Sequence, residues 1–244
     1  MKRKFAPQSA DPTLREVRHV FLDVGGTLVY SDPTSTDIFH RVLTDAGHRI
    51  DRPAIVRLLR SPESIVTLIR SFPAGREHEF FRSLNARMIE HLGFAPDDRM
   101  LDSIEDAFAK RVAWKPYPEA LPILKDLRDA GYRLGVISNA SHSLPGTLRK
   151  IGLAPFFETI TYSFAVGAEK PDVRIFRRAV AEAKTTEGLA LHVGDSFEAD
   201  YIGATRAGLH AVLLQREGEP NAPCPFIRSL QALPPLLGVG HSQP

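Results

Sequence analysis

The sequence predicts an α/β protein built on a doubly wound parallel sheet, with an all-helical domain inserted near its start. Three observations lead there. Short apolar runs of strand character alternate with helical patterns, as in a parallel sheet covered by helices on both faces. Three of these runs finish in a polar residue, and in such sheets ligands bind beyond the carboxyl ends of the strands. One stretch, residues 32–114, breaks the alternation and carries helical spacing alone.

The elements follow in order. Residues 1–17 read as a loose tail. Residues 18–24 (RHVFLDV) form a first strand, stopped by Gly25 and Gly26. Helical patterns then occupy residues 37–46, 77–92 and 97–112, punctuated by Gly47, Pro53, Pro62, Pro73, Gly75, Gly93 and Pro96. The turn clusters Ser31-Asp32-Pro33 and Lys115-Pro116-Tyr117-Pro118 flank this insertion as its two linkers. The core is therefore expected over residues 18–31 and 115–244, and the helical domain over 32–114. Back in the core, a helix over 119–130 stops at Gly131, and a second strand over 132–138 (YRLGVIS) ends at Asn139 and Ala140. A weaker strand covers 159–163. A helix over 172–184 opens after Pro171, a residue suited to a first helical turn. A strand over 189–193 (LALHV) ends at Gly194 and Asp195, a helix over 198–207 stops at Gly208, and a last strand covers 209–215.

Composition excludes several classes. A chain of 244 residues that is 43% apolar can bury one sizeable core, or a core and a small insertion. A net charge of +2 gives no field for nucleic acid or an acidic membrane surface. No apolar run approaches the ~20 residues of a membrane helix. The basic start, Met-Lys-Arg-Lys, is followed by no apolar segment and does not read as a secretory signal. Cys224 is the single cysteine, so no intrachain disulfide forms, and a reducing, cytoplasmic setting is expected.

The strand ends carry the chemistry. Asp23, Ser138 and Asp195 would meet at one rim of the sheet, with Lys170 at a helix entrance. Two carboxylates on one rim suit Mg²⁺, a hard cation that takes oxygen ligands. Its charge offsets repulsion between an anionic nucleophile and an anionic phosphate. A lysine, a hydroxyl and helix N-termini would hold phosphoryl oxygens. The set suits phosphoryl transfer to a carboxylate, followed by hydrolysis of the aspartyl-phosphate. Each polar residue alone is explained as readily by a strand end or a cap. All four in this order are not.

These residues resemble the motifs of the haloacid-dehalogenase superfamily. Phe21-Leu22-Asp23-Val24-Gly25-Gly26-Thr27-Leu28 is similar to its first motif, Asp-x-Asp-x-Thr-Leu in the phosphatases. Val136-Ile137-Ser138-Asn139 is similar to the second, and Lys170-Pro171-Asp172 to the third. Gly194-Asp195-Ser196-Phe197-Glu198-Ala199-Asp200 is similar to the fourth. The resemblance implies a Rossmann-like core whose helical insertion is a cap that closes over Asp23 and excludes water. It implies Mg²⁺-dependent hydrolysis of a small phosphorylated metabolite. Asp23 would be the nucleophile, and Ser138 and Lys170 would bind the transferring group. Asp195 would hold Mg²⁺ together with Asp23 and the Gly25 carbonyl. Thr27 would steady the loop, and Asn139 would offer its backbone N–H to the phosphoryl group. Ser196 and Asp200 would stand one layer back, Asp200 orienting Lys170 or a metal-bound water.

One departure matters. The family's phosphatases carry an aspartate two residues after the nucleophile, as general acid and base. Here that residue is Gly25. Its carbonyl still serves a metal, but the proton transfer, typically worth ~10²–10⁴-fold, is missing. The enzyme is then slow, or takes an acid from Asp32, His40, His48 or His91, or is a non-catalytic binding or regulatory protein on this fold. The branch that cleaves phosphonoacetaldehyde uses a cap lysine, and residues 32–109 contain none. The 2-haloacid dehalogenases work without metal and lack an acidic fourth motif, whereas Asp195 is present here.

Overall fold

A computed structural model describes residues 12–59, 76–110, 113–218 and 223–239. Its strands are β1 (His19–Leu22), β2 (Val29–Asp32), β3 (Ala113–Pro116), β4 (Arg133–Ser138), β5 (Thr159–Tyr162), β6 (Ala190–Gly194), β7 (His210–Leu214) and β8 (Phe226–Ile227). Six of them form one sheet in the order β5-β4-β1-β6-β7-β8, parallel throughout. The chain winds outward from β1 in both directions, so β1 lies where the strand order reverses, the usual place for a ligand.

Near-continuous apolar strands fit a sheet buried on both faces. On one face, Val20 and Leu22 pack with Leu134, Val136, Leu191 and Val193. The helix Ala120–Asp129 covers them with Ile123, Leu124 and Leu127. On the other face, Phe21 and Ile137 meet Ile175, Phe176 and Ala179 of the helix Val173–Glu182.

His19 belongs to the second face. It is fully buried and stacked on Phe21, with ring centroids 4.4 Å apart. Neither ring nitrogen has a hydrogen-bond partner among the described residues. Burial first, then the Arg133 charge, lower its pKa from 6.5 to about 4. The folded protein thus holds His19 neutral where the unfolded chain protonates it. As pH falls below 6.5 the unfolded state gains the proton, and stability is lost until about pH 4. Allowing for screening by solvent near Arg133, the loss is about 2 kcal/mol. His19→Phe keeps the ring stack and removes this loss. Urea midpoints at neutral pH and near the lower pKa, for both proteins, measure it. Equal pH dependence in the two would refute this role for His19.

Two compact units are present. Tyr30–Lys115 forms one, and the described residues up to Val29 and from Pro116 form the other. Among the described residues, the first holds the helices Ser35–Asp45, Arg52–Leu59, Glu77–His91 and Asp98–Lys110. Ser35–Asp45 starts in a capping box, in which Thr34 and Asp37 satisfy each other's backbone N–H groups. Ile38, Phe39 and Leu43 of that helix, Ile55, Phe80, Ile89 and Ile104 are buried.

Three expectations need correction. Among the described residues, the stretch 32–114 is helical inside but strand at its ends, because β2 and β3 pair there as a two-stranded sheet. Val29, Tyr30 and Trp114 favour strand. Proline, which reads as a turn, is tolerated on the free edges of so small a sheet. The tail is not loose as far as residue 17, since Leu14 and Val17 are buried in the core. The pattern over 198–207 is split into a π-helical turn, Phe197–Ile202, and a short helix, Gly203–Arg206. The punctuation at Pro62, Pro73 and Gly75 lies outside the described residues. Among the described residues no helix is long and apolar enough to cross a membrane.

Candidate active site

Parallel register sets Leu22 of β1 level with Val136 of β4 and Val193 of β6. Asp23, Ser138 and Asp195 therefore leave the sheet at nearly the same height. The Asp23 N–H extends the ladder by donating to the Val193 carbonyl at 2.9 Å. Asp23, Thr27 and Ser138 are buried. The Thr27 hydroxyl has no hydrogen-bond partner among the described residues.

Lys170 stands in the turn before the helix Val173–Glu182, which Asp172 caps. Its buried Nζ donates to Asp23 Oδ1 at 2.7 Å and to Asp200 Oδ1 at 2.5 Å. Asn139 holds that turn in place. Its Oδ1 accepts from the Lys170 N–H at 2.7 Å, and its Nδ2 donates to the Lys170 carbonyl at 3.0 Å. The Asn139 side chain thus positions Lys170, beyond the backbone role that the resemblance implies.

Asp200 lies in the π-helical turn, a distortion that often marks functional sites. Its Oδ1 also accepts from His192 at 2.9 Å, and its Oδ2 from the Ser196 N–H at 2.9 Å. Ser196 Oγ caps the turn by accepting from the Ala199 N–H at 3.2 Å. Two glycines allow carboxylates this close to the backbone. A Cβ at Gly194 would collide with Asp200, and one at Gly26, which has φ +74°, with Asp195.

His192, which the motifs do not include, holds Asp200 from the neighbouring strand. Burial keeps it neutral, pulling its pKa down against the upward effect of Asp200. Asp200 is ionised and can only accept, so Nε2 carries the proton. The signal was a lone histidine in the apolar strand LALHV.

Electrostatics bind the set together. Burial pushes the Asp23 carboxyl up, against the pull of Lys170. Burial would raise Asp200 also, but Lys170 and His192 together hold it far below the usual carboxylate range. Burial works against the Lys170 charge, and Asp200 and Asp23 more than offset it, holding the ammonium above its usual value. Asp195 is the most exposed of the three acids. Desolvation, then repulsion from Asp23 and Asp200, push it up to about 7. Given its open surface, the repulsion is the firmer of the two causes.

Carboxylate oxygens of Asp23, Asp195 and Asp200 lie within 4.8 Å of one another. With all three ionised, the buried Lys170 ammonium beside them leaves two negative charges. A divalent cation matches that charge and this all-oxygen donor set. Asp200 already accepts three hydrogen bonds, so Asp23 and Asp195 are the carboxylates suited to the ion.

The side chains weighed as substitute acids belong to the helical unit. There Asp32 pairs with Lys115 at 2.5 Å, His48 stacks on Phe94 at 4.3 Å, and His91 Nδ1 lies 2.8 Å from the Arg87 carbonyl.

Residues 17–208 match the family of haloacid dehalogenase-like hydrolases. The glyceraldehyde 3-phosphate phosphatase of Methanothermobacter thermautotrophicus is 38% identical over 104 residues, which are 42% of this chain and 46% of that protein. The chain spans about half the length of this and other curated relatives that it matches. The crystal structure of a HAD phosphatase from Thermococcus onnurineus is similar with a TM-score of 0.61 at 25% identity, covering 91% of this chain and 98% of that one. The L-2-haloacid dehalogenase RSc1362 gives a TM-score of 0.71 at 18% identity, covering 91% and 99%. At that identity the likeness is one of fold alone.

Proposed function

The chain belongs to the haloacid dehalogenase-like hydrolases, and from that premise we propose that it is a Mg²⁺-dependent phosphatase of a small phosphorylated metabolite, working through an aspartyl-phosphate on Asp23. The observation that carries this reading is the buried Lys170 bridging Asp23 and Asp200, with the Asp195 carboxylate alongside. Lys170 serves two ends there: its charge favours the Asp23 carboxylate against the cost of burial, and it puts cationic charge where phosphoryl oxygens would arrive.

The steps follow from the residues. An Asp23 carboxylate oxygen forms a bond to phosphorus as the bond from phosphorus to the leaving oxygen breaks. Lys170, fixed by Asp200 and Asn139, stabilises the charge on the transferring group, and the Ser138 hydroxyl donates to it. Water then attacks phosphorus, which releases inorganic phosphate and returns the Asp23 carboxylate. Asp23, Asp195 and the Gly25 carbonyl would hold Mg²⁺, which would supply Lewis-acid stabilisation of phosphoryl charge. No side chain at Gly25 protonates the leaving oxygen, so turnover is slow unless that oxygen leaves as a stable anion. A reducing, cytoplasmic setting fits the single cysteine.

The test is hydrolysis of nitrophenyl phosphate and of glyceraldehyde 3-phosphate, the substrate named for one relative, with Mg²⁺ and after chelation. Acid quench should trap phosphate on the wild type and none on Asp23→Asn. Turnover that survives chelation would overturn the Mg²⁺ dependence, and halide release from 2-chloropropionate without Mg²⁺ would replace this reading with the dehalogenase one. Mg²⁺ binding with no turnover of any ester would favour a binding or regulatory protein.

A further inference from the structure

Arg216, in the segment after β7, joins two stretches of chain next to the nucleophile. Its Nη2 donates to the Thr27 carbonyl at 2.9 Å and its Nε to the Gly26 carbonyl at 3.2 Å. Its Nη1 pairs with Glu119 at 2.6 Å, and its guanidinium lies over the Tyr117 ring, 3.6 Å from the centroid. Gly26 and Thr27 form the turn that follows Asp23. Tyr117 and Glu119 lie where the chain re-enters this unit after β3, and the Tyr117 N–H donates to the Leu28 carbonyl at 2.9 Å.

The turn needs such a hold. Two consecutive glycines give it the freest backbone in the site, in which peptide planes rotate at little cost. The Gly26 N–H donates to the Val29 carbonyl at 2.8 Å. A trans peptide is planar, so this bond aims the Gly25 carbonyl in the opposite direction. Arg216 then fixes the next two planes through the Gly26 and Thr27 carbonyls. Three successive peptides are set, two of them by one side chain. Arginine suits the task, because its planar fork presents several donors in fixed directions. The Arg216 side chain is 24% exposed and that of Glu119 11%, so the pair is largely shielded from solvent.

We infer that Arg216 is a positioning residue, holding the turn after the nucleophile so that the Gly25 carbonyl stays in place for Mg²⁺ beside Asp23 and Asp195. The metal part of this inference rests on the function proposed above, and the clamp itself does not. The experiment uses the full chain with Arg216→Ala, Arg216→Lys and Glu119→Gln. Amide hydrogen exchange is followed at Leu28 and Val29, whose N–H groups donate to the Val24 carbonyl, and at β6 as a reference. Mg²⁺ is titrated calorimetrically in parallel. Exchange at the turn should rise at least about tenfold in Arg216→Ala with β6 unchanged, the mark of local rather than global opening. Mg²⁺ affinity should fall about 10–100-fold, as for other groups that support metal ligands. Arg216→Lys and Glu119→Gln should lie between, and added guanidinium, unlike NaCl, should recover part of the affinity of Arg216→Ala. Unchanged exchange at the turn, or equal acceleration everywhere with Mg²⁺ affinity kept, would overturn the proposal. If Arg216→Ala does not fold, the two milder variants carry the same comparison. A wild type that binds no Mg²⁺ overturns the metal reading, and local exchange still decides whether Arg216 clamps the turn.

Discussion

Asp195→Asn is expected to lower turnover by about 10²–10³-fold, the several kcal/mol that Lewis-acid stabilisation supplies, and to weaken Mg²⁺ binding with it. The substitution keeps the side chain's size and removes its charge. Asp200 is committed to Lys170, His192 and Ser196, so a role as substitute ligand would compete with those bonds. Asp23 and the Gly25 carbonyl would be left, with one formal negative charge between them. Folding should not suffer. Asp195 is raised to about 7 by desolvation and by repulsion from Asp23 and Asp200, and the amide relieves both. The signature is therefore lost Mg²⁺ affinity and lost turnover with an equal or higher melting temperature without metal. Calorimetric titration and a thermal melt of each protein read it directly. Unchanged Mg²⁺ affinity would remove Asp195 from the site.

How much of this was legible in the sequence differs from residue to residue. The rim was legible, because parallel strands in register bring their ends together, and a polar residue after an apolar run is visible without a structure. Asp23, Ser138 and Asp195 are such residues. Lys170 was legible from its place before a proline and a helix. Asn139 was half legible: its position was clear, but nothing in the pattern shows a side chain reaching across 31 residues to both backbone groups of Lys170. His192 and Arg216 carry no distinguishing signal of their own. A histidine inside a strand reads as packing, and an arginine after a strand reads as surface. Only three-dimensional neighbours distinguish them. The strands β2 and β3 were hidden because prolines at Pro33, Pro116 and Pro118 signal turns more loudly than Tyr30 or Trp114 signals strand.

Gly25→Asp should accelerate hydrolysis of alkyl phosphates by up to ~10²–10⁴-fold, the usual contribution of general acid–base catalysis. The same substitution should change nitrophenyl and acyl phosphates far less. The structure removes the main objection to this experiment. A Cβ at Gly25 meets nothing within 4 Å, and the residue does not have the positive φ seen at its neighbour Gly26. Gly26 could not be replaced without striking Asp195, but position 25 accepts a side chain and lacks one. On the proposed mechanism the wild-type leaving oxygen departs unprotonated, so the rate should fall steeply as leaving-group pKa rises. The new carboxyl group should flatten that dependence by protonating poor leaving groups. It should also speed breakdown of the aspartyl-phosphate by activating water, so acid-quench trapping should find less phosphoenzyme in Gly25→Asp than in the wild type. The measurement is a leaving-group series on both proteins. A flat series in the wild type would mean that another acid already serves the leaving oxygen, and Gly25→Asp would then add little. A steep series in both would mean that the new carboxyl group fails to reach that oxygen, and the slowness would lie in the geometry of the turn that Arg216 holds rather than in the missing acid.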